Sequence, residues 1–306
     1  MPRLALATAI VSTGRDADLE PLLAACAAAG LTVEVRAWDD PTVAWSRFDA
    51  VLLRSPWDYT ERLPEFLRWC ERVSAQTRLL NPLPVVRWNT DKHYLVDLAA
   101  HGVPVVPSTF VEPGMEPLPT LRGFLAAHPQ ADEFVVKPAV GAGSRDTQRY
   151  ARGQDFAAAN HIARLLDGGR SALLQPYLAS VDHDGETALI HFDGVFSHAI
   201  RKGPLLQPDG ASTSHLASPD VITPRVPDAD ERALAAAVIA AMGDLLDLPA
   251  PLPYARVDLI RDADGHPRLL ELELCEPALF FARAPGSVER FVQVLRDTLA
   301  ARAPLA

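Results

Sequence analysis

A chain of 306 residues with 48% hydrophobic and 22% charged side chains has globular composition and enough length for two or three packed units. Its formal net charge of −10 disfavours nonspecific binding to nucleic acid or an acidic membrane, so any anionic ligand must be held by local positive groups. Cys26, Cys70 and Cys275 stand far apart without CxxC spacing, which suggests neither a disulfide framework nor a zinc knuckle and fits a reducing cytoplasm; no apolar run approaches the ~20 residues of a membrane span.

The apolar opening Leu4–Val11 reads as a first strand rather than a signal-peptide core, because no small-x-small cleavage site follows and the chain runs straight into a polar turn. Helix Asp18–Ala29, ended by Gly30, leads to strand Leu31–Arg36; strand Asp49–Arg54 breaks at Ser55-Pro56 before helix Glu61–Val73. This alternation predicts a parallel α/β unit, residues 1–88. Such sheets bind ligands beyond the carboxyl ends of their strands, where Arg54, Ser55, Trp57, Asp58 and Tyr59 lie. These are substrate candidates: Asp58 suits an ammonium, Arg54 a carboxylate, and Trp57 and Tyr59 wall the pocket. The alternative is a plain loop with an aromatic plug, in which Arg54 and Asp58 pair with each other.

A central unit, residues 89–177, is expected to be α+β and to move. It holds helix Thr90–His101, strand Val103–Phe110, a proline-rich connector, helix Leu118–Ala127, strand Glu133–Pro138, a glycine loop, helix Asp155–Leu166 and strand Leu173–Tyr177. Residues 178–306 then carry a hairpin over Glu186–Lys202, a polar loop around Leu206–Ser218, helix Asp228–Leu246, a second hairpin and helix Val288–Ala301. His215, in the polar loop, reads as a surface histidine.

Lys137 ends an apolar strand and precedes Gly141-Ala142-Gly143-Ser144, where backbone N–H groups approach an anion closely. The loop matches neither a Walker A nor a GxGxxG pattern, and an ordinary hairpin explains it equally well. Lys92 is placed in the first turn of a helix capped by Thr90 or Asn89, an unfavourable spot for a cation that a bound polyphosphate would relieve; the alternative is a solvated lysine beside Asp91. In the first hairpin, a two-residue turn at Asp193-Gly194 sets Glu186 opposite Arg201, with Lys202 adding charge.

The second hairpin is the most informative segment. A two-residue turn at Asp264-Gly265 pairs Ala263 with His266 and puts Asp258 opposite Glu271 and Arg256 opposite Glu273; the other face is Val257, Leu259, Leu270, Leu272 and Leu274. Opposed carboxylates repel, and a cation between them relieves this; oxygen ligands alone favour Mg²⁺ or Mn²⁺ over zinc. The alternative is a solvated face with an Arg256–Glu273 ion pair.

In that order, a lysine at a helix start, a lysine before a glycine loop, Gln175-Pro176-Tyr177, Arg201-Lys202, then Arg256-x-Asp258 and Glu271-x-Glu273, the chain resembles the ATP-grasp superfamily over about residues 50–285. The segments Arg54–Tyr59, Trp88–Lys92, Ser197–Pro204 and Leu270–Pro277 are most similar to its cycloserine-synthetase-like and glutathione-synthetase-like branches. The resemblance implies an ATP-grasp fold: a parallel α/β N-terminal domain, a mobile lid and a C-terminal antiparallel sheet. It implies ATP and Mg²⁺ (or Mn²⁺) as cofactors, with Lys92 and Lys137 on phosphates, Gly141, Gly143 and Ser144 as lid, and Gln175 and Tyr177 at adenine. It further implies Asp182 or Glu186 at ribose, Asp258, Glu271 and Glu273 at the metal, and Arg256, Arg201 and Lys202 as catalytic cations. Many members have asparagine where Glu273 stands, which leaves one metal or two open. The implied activity is a carboxylate-amine ligase working through an acyl phosphate on a small amino-acid-like substrate, within or between molecules. A kinase that stops at phosphoryl transfer and a degenerate nucleotide-binding module are the alternatives. The expected location is the cytoplasm, with no nucleic-acid or membrane partner; whether the chain forms a homodimer is open.

Overall fold

The computed structural model describes residues 2–206 and 222–301. Four parallel strands come first: β1 (Arg3–Thr8), β2 (Thr32–Ala37), β3 (Ala50–Ser55) and β4 (Arg78–Leu80), in the order β2-β1-β3-β4. The crossovers include α1 (Leu19–Ala28) and α2 (Leu63–Ser74). β3 is buried throughout and β1 along all but its first residue, as central parallel strands are, and this explains their unbroken apolar runs. The first strand is shorter than expected, because Ile10–Ser12 turn into a 3₁₀ helix.

In place of one helix over Thr90–His101, two short helices form, α3 (Leu83–Asn89) and α4 (Tyr94–Ala100). Pro84 in the first turn is the start signal of α3. Thr90 closes α3, its hydroxyl donating to Val86 O at 2.9 Å, so it does not cap a following helix and Lys92 lies in the turn between the two. Tyr94, Leu95, Leu98 and Val103 pack with Val238, Leu259 and Leu272, so this segment joins the C-terminal core rather than the central unit.

The central sheet is antiparallel in the order β5-β8-β6-β7: β5 (Thr109–Val111), β6 (Glu133–Pro138), β7 (Gln148–Ala151) and β8 (Ala172–Pro176). α5 (Pro117–Ala127) and α6 (Asp155–Asp167) supply its core through Phe124 and Ile162 against Phe134 and Tyr150. The strand expected from Val103 begins only at Thr109; Val105 makes an isolated bridge to Leu269.

The C-terminal part adds α7 (Val181–Asp184), β9 (Glu186–Phe192), β10 (Val195–Lys202), β11 (Ile222–Arg225), α8 (Ala229–Leu245), β12 (Ala255–Arg261) and β13 (Pro267–Glu273). Its sheet is antiparallel in the order β11-β10-β9-β12-β13. A capping box of Asp228 and Glu231 starts α8. The closing helix α9 (Ser287–Ala300) packs back on the N-terminal sheet, Phe291 and Leu295 meeting Leu4, Leu22 and Leu52. His215 lies outside the described residues. Among those described, no helix is long and apolar enough to cross a membrane.

Candidate active site

The second hairpin pairs Arg256 with Glu273 and Asp258 with Glu271, as expected, but through two irregularities that cancel. The turn spans three residues, 263–265, closed by Asp262 N–H donating to His266 O at 2.9 Å, with Gly265 at φ 80°. That shifts the pairing by one, so Leu259 faces Leu269; a bulge at Leu270 restores it before Asp258. Leu269 therefore takes the core position expected of Leu270, beside the buried Val257, Leu259, Leu272 and Leu274.

In the first hairpin the turn at Asp193-Gly194 forms with φ of 51° and 72°, but a bulge at Ser197 shifts the register of the remainder of β10. Lys202, not Arg201, stands opposite Glu186. Alternation then sends Lys202 to the carboxylate face, where it pairs with Glu186 and its Nζ lies 2.8 Å from Asp258 Oδ2. Arg201 turns away and donates to the carbonyls of His183 and Asp184, each at 2.7 Å, so it is not part of the site. Gly185 (φ 72°) cannot be replaced here: a Cβ would lie 2.5 Å from Lys202 O.

β13 is an edge strand of its sheet, and side chains from residues 81–94 satisfy its outer groups. Asn89 Nδ2 donates to Leu272 O and Asn89 Oδ1 accepts from Leu274 N–H, both at 2.8 Å. Tyr94 Oη accepts from Leu272 N–H at 2.9 Å, and Asn81 Nδ2 donates to Leu274 O at 2.5 Å. The backbone carrying Glu271 and Glu273 is thus held from both sides.

Asp258 is 2% exposed and accepts from Arg256 Nε at 2.9 Å. Burial works to raise its pKa, but the Arg256 and Lys202 cations outweigh it and hold the carboxyl well below its ordinary range. Glu271 pairs with Lys92 at 2.9 Å and, despite burial, Lys92 and Lys137 keep its pKa low. Glu273 pairs with Arg256, yet burial, reinforced by Asp258, Glu271 and Glu276, pushes it up to about 8. Glu186 is raised by burial to about 7. Lys137, 8% exposed and with no hydrogen-bond or ion-pair partner among the described residues, is brought down to about 8 by burial and the adjacent Lys92 charge. Crowded, oxygen-only carboxylates whose charge burial disfavours fit a hard divalent cation, and an unpaired buried lysine beside them fits an anion.

The other expected nucleotide residues gather around this face. Lys92 N–H donates to Ala139 O at 3.0 Å and its Nζ to Gly141 O at 2.8 Å, which docks the glycine loop on the α3–α4 turn. Gly143 and Ser144 are left-handed, with φ of 61° and 57°. Gln175, on β8, is buried and donates to Ser108 Oγ at 3.0 Å. Tyr177 stacks under Arg149 at 3.6 Å and donates to Asp182 Oδ1 at 2.5 Å, so Asp182 is held by Tyr177 and Arg149.

The expected substrate loop divides. Arg54 is fully buried, paired with Asp16 at 3.2 Å and donating to Pro277 O at 3.2 Å; it is closed to ligands and does not touch Asp58. Asp58 accepts from Trp38 Nε1 at 2.8 Å and from Arg62 Nη1 at 3.0 Å, while Ser55 Oγ hydrogen bonds Thr8 Oγ1 at 2.9 Å in the interior. Trp57 and Tyr59 turn instead to Glu276, a residue the sequence does not single out. Tyr59 Oη donates to Glu276 Oε1 at 2.5 Å, and Trp57 Nε1 to Glu276 O at 3.1 Å. Burial raises Glu276 to about 7. Its only sequence signal is an acid three residues beyond Glu273, before Pro277.

Three sheets in this arrangement, with a glycine loop after a strand-end lysine set against an Arg-Asp-Glu-Glu hairpin, define an ATP-grasp ligase. Residues 4–81 match the family described as the D-cycloserine synthetase DcsG N-terminal domain. The cycloserine biosynthesis protein DcsG of Streptomyces lavendulae is 54% identical over 296 residues, 97% of this chain and 98% of that protein. The crystal structure of D-cycloserine synthetase DcsG superposes with a TM-score of 0.93 at 53% identity, covering 97% of this chain and 99% of that one. The ATP-grasp ligase PsnB, seen with minimal precursor, Mg and ADP, shares the fold at 18% identity, with a TM-score of 0.63 over 97% of this chain and 98% of its own. The chain belongs to the D-cycloserine synthetase family of ATP-grasp ligases.

Proposed function

We propose that this protein is a cycloserine synthetase that uses ATP and Mg²⁺ to close O-ureido-serine on itself, activating the carboxylate as an acyl phosphate that a nitrogen of the same molecule displaces. The observation that carries this reading is the face shared by Arg256, Asp258, Glu271 and Glu273, set against Lys92 and Lys137, together with 54% identity to the cycloserine biosynthesis protein.

In this reading Lys92 and Lys137 bind the nucleotide phosphates, Gly141, Gly143 and Ser144 close over them, Gln175 and Tyr177 frame adenine, and Glu186 or Asp182 meets ribose. Asp258, Glu271 and Glu273 hold magnesium, which neutralises phosphate oxygens when bound. Lys92 and Glu271, paired with each other at 2.9 Å, would be the groups to hold a phosphate and magnesium respectively. Arg256 and Lys202 stabilise charge on the transferred phosphoryl group, and the closed loop keeps water from the acyl phosphate. Trp57 and Tyr59 wall the substrate side; the buried Arg54 is left out of that role. Incubation with O-ureido-serine, ATP and Mg²⁺ should release ADP and ring product, and added hydroxylamine should trap a hydroxamate. ADP release that is not stimulated by this substrate refutes the reading.

A further inference from the structure

Glu276 is nine-tenths buried, and its partners differ in kind from those of the neighbouring carboxylates. Asp258, Glu271, Glu273 and Glu186 are each paired with a lysine or arginine. An acid held by a cation is a poor proton acceptor, because the cation stabilises its charged form. Glu276 has instead a neutral donor, Tyr59 Oη, on Oε1; Trp57 anchors its backbone, and Oε2 has no hydrogen-bond partner among the described residues. It follows Glu273 by three residues, where Arg256, Lys92 and Glu271 act on it electrostatically. A fixed carboxylate with one oxygen held and the other open, beside the phosphoryl-transfer face, is the geometry of a general base.

We propose that Glu276 is the catalytic base of ring closure and that Tyr59 is its positioning residue. The assignment rests on the ligase reading above. The substrate's nucleophilic nitrogen uses its lone pair to form the C–N bond at the acyl carbon, and its proton passes to Glu276 Oε2. The bond from carbon to the phosphate oxygen breaks, and its electron pair leaves on phosphate. The proton returns to water when the site opens. No oxidant is required; the ring nitrogen still carries the carbamoyl group of O-ureido-serine after closure, and one water must hydrolyse that group off to leave the free ring.

The test separates activation of the carboxylate from closure of the ring. Glu276→Gln keeps the shape and an acceptor for Tyr59. It should cut ring product ~10²-fold or more while hydroxylamine, which delivers its proton to water, still traps hydroxamate within about threefold of the wild-type rate. Tyr59→Phe should lower ring closure ~10-fold with substrate KM and trapping rate nearly unchanged, a split that general loosening of the fold does not give. Melting temperatures near wild type establish that both variants are folded. The assignment is overturned if Glu276→Gln closes the ring at the wild-type rate. It is also overturned if trapping and ring closure fall together with a raised substrate KM, the signature of a group that holds the substrate's ammonium. Wild-type protein that yields ring product without any trappable hydroxamate instead refutes the acyl-phosphate reading itself.

Discussion

Replacing Asn89 by alanine should loosen the strand that carries Glu271 and Glu273. The Asn89 amide donates to Leu272 O and accepts from Leu274 N–H, both at 2.8 Å in a buried position, so alanine leaves one carbonyl and one N–H facing a gap. Each buried main-chain group without a partner costs about 1–3 kcal/mol. Two together, partly relieved if a water enters, should cost about 2–4 kcal/mol. That is a large fraction of the roughly 5–15 kcal/mol that holds a typical domain folded. Urea unfolding followed by tryptophan fluorescence measures it, with the slope against denaturant expected to stay constant. Because β13 bears Glu271 and Glu273, the variant should also need more Mg²⁺ for half-maximal turnover, and excess Mg²⁺ should restore part of the rate. A stability loss under about 0.5 kcal/mol with an unchanged Mg²⁺ requirement would show that the edge of β13 does not depend on this side chain.

Glu271→Gln, at a side chain 26% exposed, should abolish Mg²⁺-dependent turnover and cost some stability by leaving the buried Lys92 without its carboxylate, but less than the same change at the 2%-exposed Asp258. Asp258→Asn should lose turnover and also destabilise the fold, because it leaves Arg256 and Lys202 with less compensation in the interior; equal melting temperatures for the two variants would contradict this. Lys137→Met should weaken ATP binding ~10- to 100-fold by calorimetry, yet not lower the melting temperature, since it removes a buried cation that has no ion-pair partner among the described residues. His161 and His191, both buried, have pKa values lowered by burial from 6.5 to about 4. The unfolded chain takes up their protons first, so the stability they contribute is complete above about pH 6.5 and is lost as pH falls toward 4, by about 1–2 kcal/mol each at pH 5. Urea midpoints at pH 7 and 5 should show a decline that His191→Gln reduces; an equal decline in that variant would refute the assignment.

What could be read from sequence is what neighbouring residues decide among themselves. Alternating strands and helices declare the parallel sheet, and Asp-Gly turns with period-2 alternation declare both hairpins. The chemistry of the carboxylate face is equally local: Arg256 with Asp258, and Glu271 with Glu273, share a face because they lie two apart on a strand. Register is less local. Each hairpin carries a bulge, at Ser197 and at Leu270, and a bulge depends on the partner strand and on what packs beneath it. In the second hairpin the longer turn compensates, and Asp258 meets Glu271; in the first nothing compensates, and Lys202 takes the place expected of Arg201.

Only the folded chain decides which charges are structural and which are open to ligands. Arg54 has the local context of a substrate ligand, yet it is buried by Asp16, 38 residues earlier, and Pro277, 223 later. Asn89 looks like a helix cap and in fact completes the edge of a strand 185 residues away. Glu276 becomes notable only when Tyr59, 217 residues distant, is brought onto its carboxylate. Side-chain type and spacing determine what a segment can offer, because propensity and alternation act over a few residues. Whether an offered group is neutralised, buried or left free depends on long-range partners that set its desolvation and field, and those exist only once the three sheets have come together.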